Sequence, residues 1–558
     1  VSNLAEYIVT LKEFNDLNDF YTDMETEGGS LCIPNRKVEC LLRRDISRNT
    51  HYLLTQEEAA TVKKDPRVKD VERADFLMDI INPLYTQTGN FNKNSSNTAD
   101  HLNWGLLRCS EGLQRSNWGD NLTSNQVATI TRTATGRNVD VIIVDGHINP
   151  SHIEYQLRSD GLGGTRVNQL NWNTLSAAAG LLDNDGEALL SGTYVYTPYT
   201  GTSAEADNNH GAHVAGTACG NTLGWARSST IYNISPYSSN PNGTIPSLIM
   251  WDYIRAFHRS KTVNPTTGVK NPTVCNCSYG SSLRFPFTYS TFSTGPITYI
   301  WNRGTTYGNG STALTSANIT NGGIYISGGV AQIPYYSSSV AADIMDAIAD
   351  GVHVVAAAGN EYSKVDTVSG LDYNNYCYAS LSGTTYLWYI HRGTAPGAVP
   401  GVISVGSVGV NSAEYKSNFS NCGPRIDVYA PGSNIMSSFN STASFGGVND
   451  QRNSTYKLGK ISGTSMASPQ VTGVLACILE YYPRLTPAEA RNFIINSAKI
   501  NQLTDTQGTQ ADLTSLQGSA NRFLFAKEER SASGQTYPKT NFSFRPTNGA
   551  TYPRLKRR

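Results

Sequence analysis

One serine in this 558-residue chain stands where a nucleophile would. Ser465 lies in Gly463-Thr464-Ser465-Met466-Ala467-Ser468-Pro469, between a glycine turn and an apolar helix predicted over 471–480. A serine hydroxyl attacks a carbonyl at neutral pH only when a base takes its proton. That base must be held by a carboxylate, and the oxyanion that forms needs hydrogen-bond donors. The chain supplies each of these. Asp145 ends Val139-Asp140-Val141-Ile142-Ile143-Val144-Asp145. His210 opens His210-Gly211-Ala212-His213-Val214-Ala215-Gly216-Thr217, and Asn360 ends Val354-Val355-Ala356-Ala357-Ala358-Gly359-Asn360. Asp, then His, then Ser is one of three chain orders in which unrelated folds assemble this triad. The chemistry would be acyl transfer. Ser465 would attack, and His210 would take its proton and return it to the leaving amine. Asp145 would hold the imidazole in the working tautomer, while the Asn360 amide and the Ser465 N–H would donate to the oxyanion.

Together these four segments resemble the subtilisin-like serine proteases. The resemblance continues through Trp104-Gly105-Leu106-Leu107-Arg108, Gly224-Trp225-Ala226-Arg227 and Val274-Cys275-Asn276-Cys277-Ser278-Tyr279-Gly280. It extends through Val402 to Gly406 and Asp427 to Gly432, spanning 104–524 with long insertions. It implies an α/β fold of three layers around a mostly parallel sheet, with a polypeptide as substrate. Ser278, Tyr279 and Gly280 would form one wall of the substrate site, Ala358 and Gly359 another, with Glu361 at the rim. His213 would be structural. No cofactor is required. Calcium often stabilises the family, but only Glu154 suggests itself as a ligand, and no ligand cluster is legible around it. The chain departs from the family in two places. Gly146-His147 follows Asp145 where a hydroxyl residue and then glycine are usual, and Ala212 follows His210-Gly211 where Thr or Ser is usual.

Other elements must carry and serve this site. Residues 1–76 read as a small α+β domain. Tyr7 to Leu11 is strand-like, and Thr55 with Glu58 three residues later forms a capping signal for a helix through Lys64. Asp65-Pro66 stops that helix and Val68 to Val71 gives a closing strand. The run from Leu54 to Asp75 resembles the family's inhibitory propeptide, which implies a zymogen whose own N-terminal domain occupies the cleft. Residues 77–103, rich in Asn, Ser and Thr around 82–100, read as a linker holding the processing site. The peptidase domain is expected over 104–525. Insertions at 158–209, 281–339 and 361–392 are rich in Gly, Ser, Asn and Tyr, a composition suited to contact surfaces. Residues 526–558 carry eight Lys or Arg against two Glu and repeat a Thr-Tyr-Pro-basic element, as an assembly or docking tail would.

Composition bounds the rest. The net charge is +0 and 39% of residues are hydrophobic, enough for a large core and without bulk attraction to nucleic acid or anionic lipid. No apolar run is long enough for a membrane helix, and the N-terminus lacks the features of a signal peptide. The expected location is the cytoplasm of the producing cell or a virion. Nine cysteines without a Cys-x-x-Cys pair read as small buried hydrophobes. The polar, glycine-rich character also resembles the subtilisin-like proteins of tailed bacteriophages, which keeps a structural or assembly role open.

Overall fold

Strands buried on both faces read as continuous apolar runs, and the run ending at Asp145 behaves this way. In the computed structural model, Val141 and Ile143 enter one apolar cluster while Ile142 and Val144 enter another on the opposite face. The structure describes residues 4–26, 38–43, 47–73, 85–115, 118, 126–157, 163–182, 186, 198–201, 209–235, 247–286, 296–308, 314–381, 383–440, 446–508 and 511–526. Parts of the insertions, residues 77–84 of the expected linker and the tail from 527 onward lie outside them. The chain divides into two units, one carrying 4–73 and the other 85–526.

The smaller unit is α+β. Its strands stand in the order Glu39–Leu42, Asn49–Leu54, Ala5–Leu11, Val68–Arg73, with every neighbouring pair antiparallel. Helices Leu17–Glu25 and Gln56–Val62 help close a core that includes Val9, Phe20, Tyr52, Leu54 and Val62. Thr55 and Glu58 form the capping box that their spacing predicts: each side chain accepts from the other's backbone N–H, at 3.1 and 2.7 Å.

The larger unit is built on a nine-stranded sheet. Along the chain run β1 (Asp140–Val144), β2 (Val167–Asn168), α1 (His210–Cys219), β3 (Thr230–Ile234), α2 (Ser247–Ser260) and β4 (Thr273–Cys277). These are followed by α3 (Ser338–Ala349), β5 (His353–Ala357), β6 (Ile403–Val408), β7 (Val428–Pro431), α4 (Thr464–Tyr481), α5 (Pro487–Ser497), β8 (Lys499–Ile500) and β9 (Arg522–Phe523). Spatial order is β8-β9-β7-β6-β5-β4-β1-β3-β2, and every pair is parallel except β8 with β9. Residues of α1, α4 and α5 pack on one face of the sheet and those of α2 and α3 on the other. The fold is α/β in three layers. Cys275 and Cys277 share the second cluster, and the described cysteines are free thiols. No described helix is long and apolar enough to cross a membrane.

One expectation needs correction. The segment read as a linker becomes ordered structure at Tyr85. Strand Tyr85–Asn90 pairs antiparallel with Val127–Arg132, and Phe91, Asn92 and Lys93 are buried. The asparagines that suggested a linker are structural here. Asn92 and Asn94 side chains cap turns at the N–H groups of Asn94 and Ser96, at 2.7 and 2.8 Å. Asn97 Oδ1 accepts from Lys460 N at 2.6 Å, and Lys460 Nζ donates to the Asn92 and Asn94 carbonyls. Side-chain amides doing backbone work have the same composition as a flexible tether.

Candidate active site

Parallel sheets present their functional loops at the carboxyl ends of the strands. Asp145 follows β1, Ser278 follows β4 and Ala358-Gly359-Asn360 follows β5; these three strands are neighbours in the sheet. Helices α1 and α4 pack against each other, and their first turns carry His210 and Ser465.

Asp145 is 2% exposed. Its carboxylate accepts from His210 Nδ1 at 2.8 and 3.0 Å and from Gly146 N at 2.7 Å. Asn233 Nδ2 steadies the same loop by donating to the carbonyls of Ile143, Asp145 and Gly146. Gly211 meets this loop closely, and a Cβ there would overlap the Gly146 carbonyl oxygen. Burial by itself would lower the His210 pKa, but the Asp145 charge and hydrogen bond prevail and raise it. The His210 side chain remains 36% exposed. His213 lies in the core and donates to Ile435 O at 2.7 Å, and burial pushes its pKa down to about 3.

Ser465 is the second residue of α4 and 8% exposed. Pro469 has no N–H to give the Ser465 carbonyl four residues earlier. Ser278 Oγ donates to that carbonyl instead, at 2.8 Å, and the Ser278 carbonyl accepts from Ser465 Oγ at 3.1 Å. Asn276 anchors the arrangement from below. Its Nδ2 donates to Ser278 Oγ, and its Oδ1 accepts from Ser468 and Thr472 of α4 at 2.9 and 2.8 Å.

Asn360 does not cap a helix of its own. Its Oδ1 accepts from the Thr464 N–H and hydroxyl at the start of α4. A Cβ at Gly463 would lie 3.6 Å from both Asn360 Nδ2 and Ser465 Cβ, so the amide sits beside the backbone of Ser465. Gly359 takes φ +105°, a region that favours glycine, and its N–H donates to Thr464 Oγ1 at 3.3 Å. Ala358 O accepts from Asn421 Nδ2 at 2.8 Å. Asn421 also receives the Glu361 and Ser363 N–H groups, and burial raises the pKa of Glu361. Gly280 is exposed against Thr394, whereas Tyr279 packs against the cluster of α2 and α3.

Thr464, Asn276 and Asn421 were not singled out from the sequence. Only the position of Thr464 beside Ser465 hinted at a role. Glu154, the one suggested calcium ligand, is fully buried and already partnered. Arg452 and Thr222 Oγ1 donate to one carboxylate oxygen, and the N–H groups of Thr222 and Leu223 donate to the other at 3.0 Å. Burial alone would raise its pKa, but Arg452 and these donors hold it down at about 2. No group of three or more metal-ligating side chains is found among the described residues.

Comparison with known proteins shows what the chain resembles. The chain is 28% identical over 374 residues to an extracellular serine proteinase of Thermus sp. (strain Rt41A), covering 66% of this chain and 58% of that protein. It is 25% identical over 457 residues to alkaline serine exoprotease A of Vibrio alginolyticus, covering 82% of this chain and 56% of that protein. It thus spans less than two thirds of the length of either relative. A crystal structure of a cold adapted subtilisin-like serine proteinase aligns with a TM-score of 0.43 and 20% identity, over 77% of this chain and 99% of that one. Residues 136–521, well over half the chain and including all four candidate catalytic residues, match the model of the subtilase family, and the chain belongs to that family.

Proposed function

We propose that this chain is a serine endopeptidase that cleaves polypeptides through an acyl-enzyme on Ser465. Asp145 orients His210, and His210 takes the Ser465 proton as Oγ bonds to the scissile carbonyl carbon. His210 then delivers that proton to the leaving amine. The same imidazole then deprotonates a water that attacks the ester carbon; the bond to Ser465 Oγ breaks, and His210 returns the proton to Oγ. Asn360 Nδ2 and the Ser465 N–H donate to each oxyanion. The substrate backbone lies between Ser278-Tyr279-Gly280 and Ala358-Gly359. The observation that carries this reading is the pairing of His210 Nδ1 with both Asp145 oxygens, on a helix packed against that of Ser465. The unit of residues 4–73 acts as the propeptide of a zymogen, as the family resemblance implies.

A fluorophosphonate probe tests the assignment. Wild-type chain should label at Ser465 and cleave a denatured protein, and Ser465→Ala should do neither while unfolding at the same temperature. Peptidase activity persisting in pure Ser465→Ala protein would sink it. A second reading, an assembly protein with this fold and a closed site, draws support from the Gly-, Ser-, Asn- and Tyr-rich insertions. Folded wild-type chain that neither labels nor cleaves would favour that reading.

A further inference from the structure

Insertions 281–339 and 361–392 together carry a four-stranded sheet, with strands Thr305–Tyr307, Ile297–Asn302, Tyr376–Leu381 and Thr384–Tyr389 in that spatial order. One face is an ordinary core face: Ile297, Ile300, Cys377 and Ala379 are buried with Leu314, Ile319 and Ile333. An opposite face turned to water would alternate to polar residues. Here the register instead sets Tyr299 and Leu387 beside Tyr378, and Trp301 and Tyr389 beside Tyr376. The rings touch across strands, with Trp301 and Tyr376 stacked at 5.7 Å and 16°, and Tyr299 5.7 Å from Tyr378. Tyr378, Leu387 and Tyr389 are 38%, 40% and 37% exposed. Exposed apolar patches of this kind mark interaction surfaces.

The edge of the same sheet is the second observation. Among the described strands, Thr384–Tyr389 pairs only with Tyr376–Leu381. Natural edge strands are blunted by charge, proline, bulges or brevity. Thr384-Thr385-Tyr386-Leu387-Trp388-Tyr389 has no charge, no Pro and no Gly, and its register with its neighbour is unbroken. Left open to solvent, such a segment templates aggregation.

We propose that a second copy of this chain covers it. Two copies pair Thr384–Tyr389 antiparallel about a two-fold axis, joining two four-stranded sheets into one of eight with a continuous aromatic face. A two-fold axis normal to the sheet makes the strands antiparallel, so this edge is its own complement. Charge agrees, because neither copy brings a charged side chain from this strand to the seam. Arg392 lies over the Tyr389 ring at 3.3 Å, and the antiparallel arrangement sends the two copies' Arg392 to opposite ends of the seam. The inference is independent of the catalytic reading.

Sedimentation velocity over a concentration series tests it, on the full chain carrying Ser465→Ala so that nothing is cut during the run. The expected species is a dimer. Leu387→Lys or Leu387→Glu alone should weaken it ~100-fold or more, by facing like charges across the axis. Mixing the Lys and Glu variants should restore a dimer, which a merely structural effect would not do. Thermal unfolding under monomeric conditions reports whether each variant is folded. If Leu387→Lys is not, Tyr386→Lys and Tyr386→Glu at the 46% exposed neighbour replace the pair. A chain that stays monomeric at every concentration overturns the proposal. So does a dimer indifferent to these charges, or a monomer whose aromatic face instead binds a polysaccharide or an unrelated protein.

Discussion

Thr464 donates twice to a single oxygen, its N–H and its hydroxyl reaching Asn360 Oδ1 at 2.9 and 2.8 Å. An amide whose oxygen is pinned has its NH2 group aimed as well, and here that group lies beside the backbone of Ser465. Thr464 is therefore a positioning residue for the proposed oxyanion donor. Thr464→Val keeps the N–H and loses the hydroxyl, and kcat should fall ~10-fold, or ~1.4 kcal/mol, with KM unchanged. Asn360→Ala removes the donor itself and should cost ~10²–10³ in kcat. The double variant should be no slower than Asn360→Ala alone, because Thr464 acts through the amide. Losses that multiply would refute that coupling.

Gly211 and Gly146 hold the imidazole and the carboxylate in register. With a Cβ at Gly211 overlapping the Gly146 carbonyl, Gly211→Ala must push the Asp145 loop and the start of α1 apart. A displacement near 1 Å at a catalytic group can cost ~10²-fold in rate. We expect a loss of that order in kcat/KM from a variant that still folds, measured with a peptide substrate. Near wild-type turnover would mean that the loop yields without moving Asp145.

The apolar runs ending at Asp145, Ser278 and Asn360 were legible because strands buried on both faces stay mostly apolar, interrupted only by Asp140, Thr273, Asn276 and His353. Their carboxyl ends then fall side by side at one end of three neighbouring strands, which brings together residues far apart in sequence. Thr464, Asn276 and Asn421 were not legible. Each is a common polar residue whose value comes from a partner on another element, and no local spacing encodes that partner. The Asn-rich stretch after Tyr85 misled for a related reason: turn-capping amides and tether amides look alike until Lys460, hundreds of residues away, is brought to them. The edge strand Thr384–Tyr389 was hidden inside what read as a Tyr-rich insertion, since exposure rather than composition sets it apart.

The pH dependence of turnover has a definite sign. His210 must be neutral to accept a proton, so activity falls as pH drops through its pKa. That pKa is raised above the ordinary 6.5, burial being outweighed by Asp145. The acid limb of kcat/KM should therefore lie above 6.5. In Asp145→Asn the carboxylate charge is gone and burial prevails, so the limb should move to lower pH while kcat drops ~10⁴-fold. A limb that stays in place in Asp145→Asn would assign it to some other group.

Arg452 and Glu154 make a stability prediction. Because the folded-state pKa of Glu154 is depressed, the pair's contribution is present above the ordinary 4.5 and is lost as pH falls toward about 2. Arg452→Met would leave a fully buried carboxylate without its cation, at a cost of ~3–5 kcal/mol. Adding Glu154→Gln should recover most of that loss in denaturant unfolding. Because both Glu154 oxygens already have donors, a chelator should change the unfolding temperature of wild type and Glu154→Gln equally. A large shift on chelation would reveal a cation site elsewhere.

Self-cleavage, if the proposed zymogen reading holds, has a narrower window than composition suggests. A protease cleft accepts an extended backbone with free N–H and carbonyl groups, and from Tyr85 to Asn90 those groups face strand Val127–Arg132. Burial of Phe91, Asn92 and Lys93 protects the next stretch, and Lys460 ties down the one after it. On the other side, Val68–Arg73 is paired in the sheet of the smaller unit. The cut should therefore fall after Arg73 and before Tyr85. Intact mass spectrometry of wild-type chain should show an N-terminal fragment ending in that interval, and Ser465→Ala should stay whole. A fragment ending within 91–103 would mean that this segment unfolds before processing. Wild-type chain that labels at Ser465 yet remains uncut over days would separate catalysis from autoprocessing and end the zymogen reading.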